Sequence, residues 1–178
     1  MQNLFKKNHN KVGILGGTFD HPHIGHVKIS KIALKKFNLN KLIWIVTKKN
    51  PLKIKPYFSR KMRIKLCKDL IKNYKKISVK YFDDIVKSKN TYDVLKYLKN
   101  KNKGIELYFI IGADNFIKFH KWNNWRNIPK IAKLVVFGRA NYSVKALKSV
   151  AAKKLKKDEW IYINSKKINI SSSLIRKF

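Results

Sequence analysis

The sequence predicts an α/β fold, a doubly wound parallel sheet with helices on both faces, and three observations predict it. Short apolar runs alternate with stretches of helical periodicity along the whole chain, the pattern that parallel strands joined by helical crossovers require. A length of 178 residues with 44% apolar side chains is enough to bury one core. The sequence shows no repeat, low-complexity linker or domain boundary, so residues 1–178 are expected to form a single domain.

Taken in order, "KVGILG" is an apolar run closed by glycine, and "GHVKISKIALKKF" places apolar residues at helical spacing from about Gly25. "KLIWIVT" reads as a second buried strand, "KKNPLKIKPY" as a Pro-interrupted loop and "SRKMRIKLCKDLIKN" as a helix. "KISVKYF" is a third strand, "TYDVLKYLKN" a helix with Thr91 as its expected N-cap, and "ELYFIIG" a fourth strand. A helical stretch over about 114–131 follows, then the strand "KLVVFG", a helix near 143–156, the strand "EWIYIN" and a final short helix opened by "SSSLIRKF". Crossovers between such strands are right-handed.

Composition excludes some functions. No apolar run is long enough to span a membrane, and the polar start "MQNLFKKNHNK" is unlike a secretion signal, so a cytoplasmic location without membrane partners is expected. Cys67 is the single cysteine and sits on the apolar side of its helix, which suits a buried structural thiol. The formal charge of +34 suggests nucleic acid. However, only five of the 43 basic residues are Arg, the residue best suited to planar bidentate contacts, and the lysines are spread evenly. Lys, Asn and Ile together fit a compositional bias, so nucleic acid is not the expected partner. Arg, His, Gly and the nine acids, which escape the bias, carry the information.

They concentrate in "GILGGTFDHPHIGH", which holds three of the five histidines. Ligands of such folds bind beyond the carboxyl ends of the strands. There Gly16 and Gly17 permit close approach to the backbone, and the helix start near Gly25 offers free N–H groups. The stretch lacks both the GK[ST] ending of a P-loop and the third glycine of a dinucleotide fingerprint. His23 and His26, three apart, point to one side of that helix start as a donor cluster. Zinc ligation by His21, His23 and His26 is the rival, but it has only Asp20 nearby to complete a ligand set. Structural roles for these histidines are the third reading. An anion site without a protein-held metal fits best.

"GGTFDHPHIGH" resembles the first signature of the nucleotidyltransferases with a His-x-Gly-His motif, which transfer an adenylyl group from ATP, and "ISSSLIR" resembles their second. "NPLK", "TYDVL", "IIGADNF", "FHKW" and "VVFGRA" occur in the order found in bacterial nicotinate-nucleotide adenylyltransferases, so the resemblance runs from Val12 to Phe178. It implies a Rossmann-like nucleotidyltransferase fold and the reaction of ATP with nicotinate mononucleotide to give nicotinate adenine dinucleotide and pyrophosphate, a step of NAD biosynthesis. It further implies that the backbone of Gly16, Gly17, Thr18 and Phe19 lines the phosphate site, that His23 and His26 donate to the ATP phosphates, and that Ser172 and Arg176 grip the triphosphate. By the same resemblance Arg139 reaches the phosphates, Asp114 meets the adenosine ribose beside Gly112, and Mg²⁺ arrives with ATP. Asp20, Lys53, Thr91, Trp122 and Asn123 fall to the mononucleotide, with Trp122 stacking on the pyridine ring. Each also has a plainer reading: Ser172 and Asp114 as N-caps, Trp122 and Trp125 as core, Arg139 as an ion-pair partner. Arg60, Arg63 and Arg126 are read as structural.

Two departures stand out. His21 replaces the usual Pro after the motif's Asp, and "RANY" at 139–142 replaces the commoner Arg-Pro-Gly-Tyr. The alternatives are phosphopantetheine adenylyltransferase, which shares the reaction class, and a basic nucleic-acid-binding protein on the same fold.

Overall fold

The computed structural model describes residues 11–48 and 56–164. Six strands form one sheet: β1 (Lys11–Gly17), β2 (Lys41–Val46), β3 (Ile77–Lys80), β4 (Glu106–Gly112), β5 (Lys133–Phe137) and β6 (Trp160–Ile163). They lie in the order β3-β2-β1-β4-β5-β6, and every neighbouring pair is parallel. The order reverses between β1 and β4, and in sheets of this kind ligands bind in the crevice beyond the carboxyl ends of the strands at that point. The connecting helices are α1 (Ile24–Lys36), α2 (Arg60–Ile71), α3 (Asp83–Val86), α4 (Thr91–Lys101), α5 (Ala113–Phe116), α6 (Ile128–Ile131), α7 (Ser143–Leu147) and α8 (Val150–Lys154).

Side chains alternate across the sheet, so each strand feeds two cores. On β2, Leu42, Trp44 and Val46 pack with Val27 of α1 and Cys67 of α2, while Ile43 and Ile45 pack on the other face with Val94, Leu95 and Leu98 of α4. Cys67 is buried and its thiol is pushed up to about 12 by burial, which makes it the structural thiol expected. Among the described residues, no helix is long and apolar enough to cross a membrane.

Three expectations need correction. The helix expected over 114–131 is broken into α5, single 3-10 turns at Phe119–Lys121 and Trp125–Asn127, and α6. Trp122 is extended at the end of the first turn and Asn124 adopts a left-handed φ of 50°, so Trp122 and Trp125 do not share a helical side. Packing of Phe116, Phe119, Trp122 and Trp125 on one another decides this segment in place of helical propensity. Thr91 is the first residue of α4 and not its N-cap, a place taken by Asn90. The helix near 143–156 is two helices, divided where Ser149 caps α8 by accepting the Ala152 N–H at 3.2 Å. The closing helix expected at 171–178 lies outside the described residues.

Candidate active site

The chain leaves β1 at Gly17 and turns sharply at Phe19, whose φ of 50° is a left-handed conformation rare for a bulky residue. Tertiary contact holds it there. The Phe19 ring is buried, stacked on Trp44 at 5.0 Å and tilted against His26 at 4.8 Å. Gly16 and Gly17 belong to the last residues of β1 and do not follow it, as the sequence suggested.

The turn delivers His23 to the N-cap of α1, where the two histidines cap the helix reciprocally. His23 Nδ1 accepts the Gly25 N–H, and His26 Nδ1 accepts the His23 N–H, each at 3.2 Å. A ring nitrogen that accepts carries no proton, so in both neutral rings the proton sits on Nε2. The rings lie 3.9 Å apart. Burial, with the positive charge of Arg139 and the neighbouring His21 adding to it, lowers the His23 pKa to about 4. His23 is therefore neutral at physiological pH. Its buried Nε2–H has no acceptor among the described residues, nor has the buried hydroxyl of Thr18. Two such donors at a helix N-terminus call for an acceptor from outside the chain, and a phosphate oxygen supplies one.

The carboxyl ends of the neighbouring strands complete this side. Arg139, after β5, pairs with Asp114 of α5 through Nη1 and Oδ2 at 3.2 Å. Gly112 ends β4 so close to Asp114 that an added Cβ would lie 2.5 Å from its Oδ1. Asp114 is not an N-cap; Gly112 holds that position. The altered loop keeps a turn, because Tyr142 N–H donates to Arg139 C=O at 3.0 Å and Asn141 takes a φ of 67°. Asparagine stands where the commoner motif has glycine, and it is the side-chain-bearing residue that best tolerates that region.

The second half of the crevice is a small, mostly apolar cavity lined by Gly16, Thr47, Asp83, Thr91 and Phe109, among others. Phe109 also touches Trp122, with ring centroids 6.2 Å apart. The cavity continues past Asp83, Lys89 and Asn90 into a wider opening flanked by Lys48 and Lys87. Trp122 is half-buried and its indole N–H has no acceptor among the described residues, while Asn123 is exposed beside it. Gly16, Thr91 and Trp122 are thus gathered around Phe109. Asp20 is not part of this cavity. Its carboxylate accepts the Tyr57 and Phe58 N–H groups at 2.9 and 3.0 Å and braces the chain entering α2. Lys53, Ser172 and Arg176 lie outside the described residues.

A cytidylyltransferase-like family model matches residues 14–178. A protein of Pelagibacter ubique named "Probable nicotinate-nucleotide adenylyltransferase" is 47% identical, with 99% of this chain and 97% of that protein covered. The chain belongs to the nicotinate-nucleotide adenylyltransferase family. A family member of the same name from Ruegeria sp. is 32% identical over 93% of this chain and 96% of its own. Among solved structures, the Plasmodium falciparum nicotinic acid mononucleotide adenylyltransferase complexed with NaAD superposes with a TM-score of 0.74 at 24% identity, covering 96% of this chain and 84% of that one. At that identity the likeness shows the fold.

Arg63, read as structural from the sequence, is 2% exposed, a burial that the sequence reading did not state. A signal was present: Arg63, Cys67 and Ile71 fall on one buried side of α2, and an Arg on an apolar side of a Lys-rich chain is out of place.

Proposed function

We propose that this crevice is where the adenylyltransferase joins its substrates. The adenylyl group of ATP passes to nicotinate mononucleotide, giving nicotinate adenine dinucleotide and pyrophosphate, a step of NAD biosynthesis placed in the cytoplasm. The observation that carries the assignment of the site is the pair of outward imidazole N–H groups, one of them buried and unpartnered, at the start of α1.

In this reading the mononucleotide phosphate attacks the α-phosphorus of ATP in line, with no covalent enzyme intermediate. The enzyme contributes alignment and charge stabilisation. The backbone from Gly16 to Phe19, the Thr18 hydroxyl and the Nε2–H groups of His23 and His26 face the phosphates. Charge grows on the leaving pyrophosphate, where two neutral donors strengthen their bonds without an imidazolium's desolvation cost. Asp114 takes the adenosine ribose and releases Arg139 toward the phosphates. Ser172 and Arg176 close on the triphosphate and Lys53 on the mononucleotide. Mg²⁺ would arrive with ATP and would offset the charge of its phosphates. This suits a site whose carboxylates are engaged within the chain, Asp20 by two N–H groups and Asp114 by Arg139.

The pyridine ring enters beside Phe109 and Trp122, and its carboxylate meets backbone N–H groups at Thr91 and Asn123. Such donors favour an acceptor-only carboxylate and leave an amide NH₂ facing another donor, a mismatch of about 1–3 kcal/mol. Pyrophosphate release from ATP is therefore expected with nicotinate mononucleotide at about tenfold or greater efficiency over nicotinamide mononucleotide, and not with phosphopantetheine or ATP alone. In Trp122→Ala both mononucleotides lose efficiency while the preference for the acid survives. Equal use of acid and amide by the wild type refutes the substrate assignment.

A further inference from the structure

Arg63 lies in the first turn of α2 with its side chain buried, and its hydrogen bonds among the described residues go to main-chain carbonyls. Nη1 donates to Thr18 C=O and to Thr47 C=O (2.9 Å), Nη2 to Lys48 C=O (3.3 Å) and Nε to Phe58 C=O (3.2 Å). Three separate segments are tied to one guanidinium: the phosphate loop after β1, the chain after β2, and the approach to α2. Only arginine offers a planar fork able to do this; a lysine has three donors on one atom.

The tied segments belong to different halves of the crevice. Thr18 is on the phosphate side, between Gly17 and Phe19. Thr47 lines the apolar cavity, and its N–H donates to Gly17 C=O at 2.9 Å. Lys48 flanks the wider opening and passes the connection on, its N–H donating to the buried carboxylate of Asp83 at 2.8 Å. Phe58 is held twice, its C=O by Arg63 and its N–H by Asp20. A charge so deeply buried is costly, and burial does push the Arg63 pKa down, with Asp20 opposing the shift. A bulky apolar residue would fill the space on that side of α2 without the cost, so packing alone does not account for an arginine.

We propose that Arg63 is a positioning residue that fixes the ATP phosphate loop relative to the mononucleotide cavity and so sets the in-line alignment of the two substrates. The inference rests on the reaction proposed above. Each half of the crevice retains its own ligand contacts when Arg63 is lost; the distance between the halves does not. An in-line displacement is sensitive to that distance, and a misplacement of about 1 Å costs on the order of 10²-fold in rate.

The test compares Arg63→Lys and Arg63→Gln with wild type. Dissociation constants for ATP and for nicotinate mononucleotide are measured separately by calorimetry, with kcat determined per folded molecule. Expected are single-substrate affinities near wild type with kcat lower by about 30- to 100-fold, and Lys retaining more than Gln. A merely structural role predicts a lower melting temperature with kcat per folded molecule unchanged, and that result overturns the proposal. Loss of one substrate's affinity alone also overturns it, because the damage would then be local to one subsite. If neither variant folds, Asp20→Asn loosens Phe58 from the other side; the same split between affinity and kcat supports the proposal, and a wild-type kcat overturns it. Failure of the reaction assignment itself is read separately, as a wild-type protein that releases no pyrophosphate with nicotinate mononucleotide.

Discussion

The N-termini of α1 and α2 pack against the same face of the sheet and are built in opposite ways. At α1, His23 and His26 use Nδ1 to accept the Gly25 and His23 N–H groups, and the Nε2–H of the neutral His23 is buried and without an acceptor among the described residues. At α2, Ser59 accepts the Met62 N–H at 3.3 Å, Arg60 stacks on Tyr81 and pairs with Asp84 at 3.0 Å, and Arg63 spends its donors on four carbonyls. The basic helix start is the one closed by the chain itself, and the uncharged one is open to a ligand. Formal charge therefore does not distinguish the two termini as candidate anion sites, and unmet hydrogen-bonding capacity does.

The largest expected effect separates capping from chemistry at His26. His26→Ala should lower kcat by about 10²- to 10³-fold with ATP affinity little changed, the size seen when a transition-state donor is removed. His26→Asn offers an oxygen where Nδ1 accepted, so it should keep the helix cap and the melting temperature while turnover stays as low as in the alanine variant. A normal kcat in either breaks the contrast, since the α1 terminus would then be as structural as that of α2.

A smaller effect is expected from pH. His23 in the folded chain holds its proton only below about 4, against an ordinary value of 6.5. Between the two the unfolded chain binds more protons, so stability is complete above 6.5 and falls as pH drops toward 4. Protonation of Nδ1 also turns the acceptor of the Gly25 N–H into a donor, so the cap fails with it. Chemical denaturation across this window, with ¹⁵N NMR of the imidazoles to show the proton on Nε2, checks both points. A His23 that titrates near 6.5 would sink them.

The smallest effect belongs to α2. Ser59→Ala removes an ordinary N-cap and should cost about 1 kcal/mol of stability with turnover near wild type. A large loss of turnover would mean that this terminus, too, serves the substrates.

Much of the architecture follows from local pattern. The six strands are legible because each is a short apolar run between breakers, and the crevice follows from parallel connection alone. The motif at 16–26 is legible because Gly, His and Asp stand out against a Lys-rich background, and Asn141 satisfies the backbone demand of the turn that glycine usually fills. The region from Ala113 to Ile131 is not legible, because its aromatic residues pack on one another and override helical periodicity. The roles of Asp20 and Arg63 are hidden for a related reason: both are bonded to backbone groups 37 to 45 residues away, to Tyr57, Phe58 and Thr18.

By itself, then, the sequence determined where the strands fall and the family to which the chain belongs, through residue types in short motifs that follow a fixed order along the chain. Tertiary structure alone decided that His23 is neutral, that both histidines carry their protons on Nε2, that Phe19 holds a left-handed turn and that Arg63 joins the two halves of the crevice. Those properties depend on burial and on backbone groups brought together by folding, and a hydrogen bond to a carbonyl leaves no mark on the identity of the residue that supplies it.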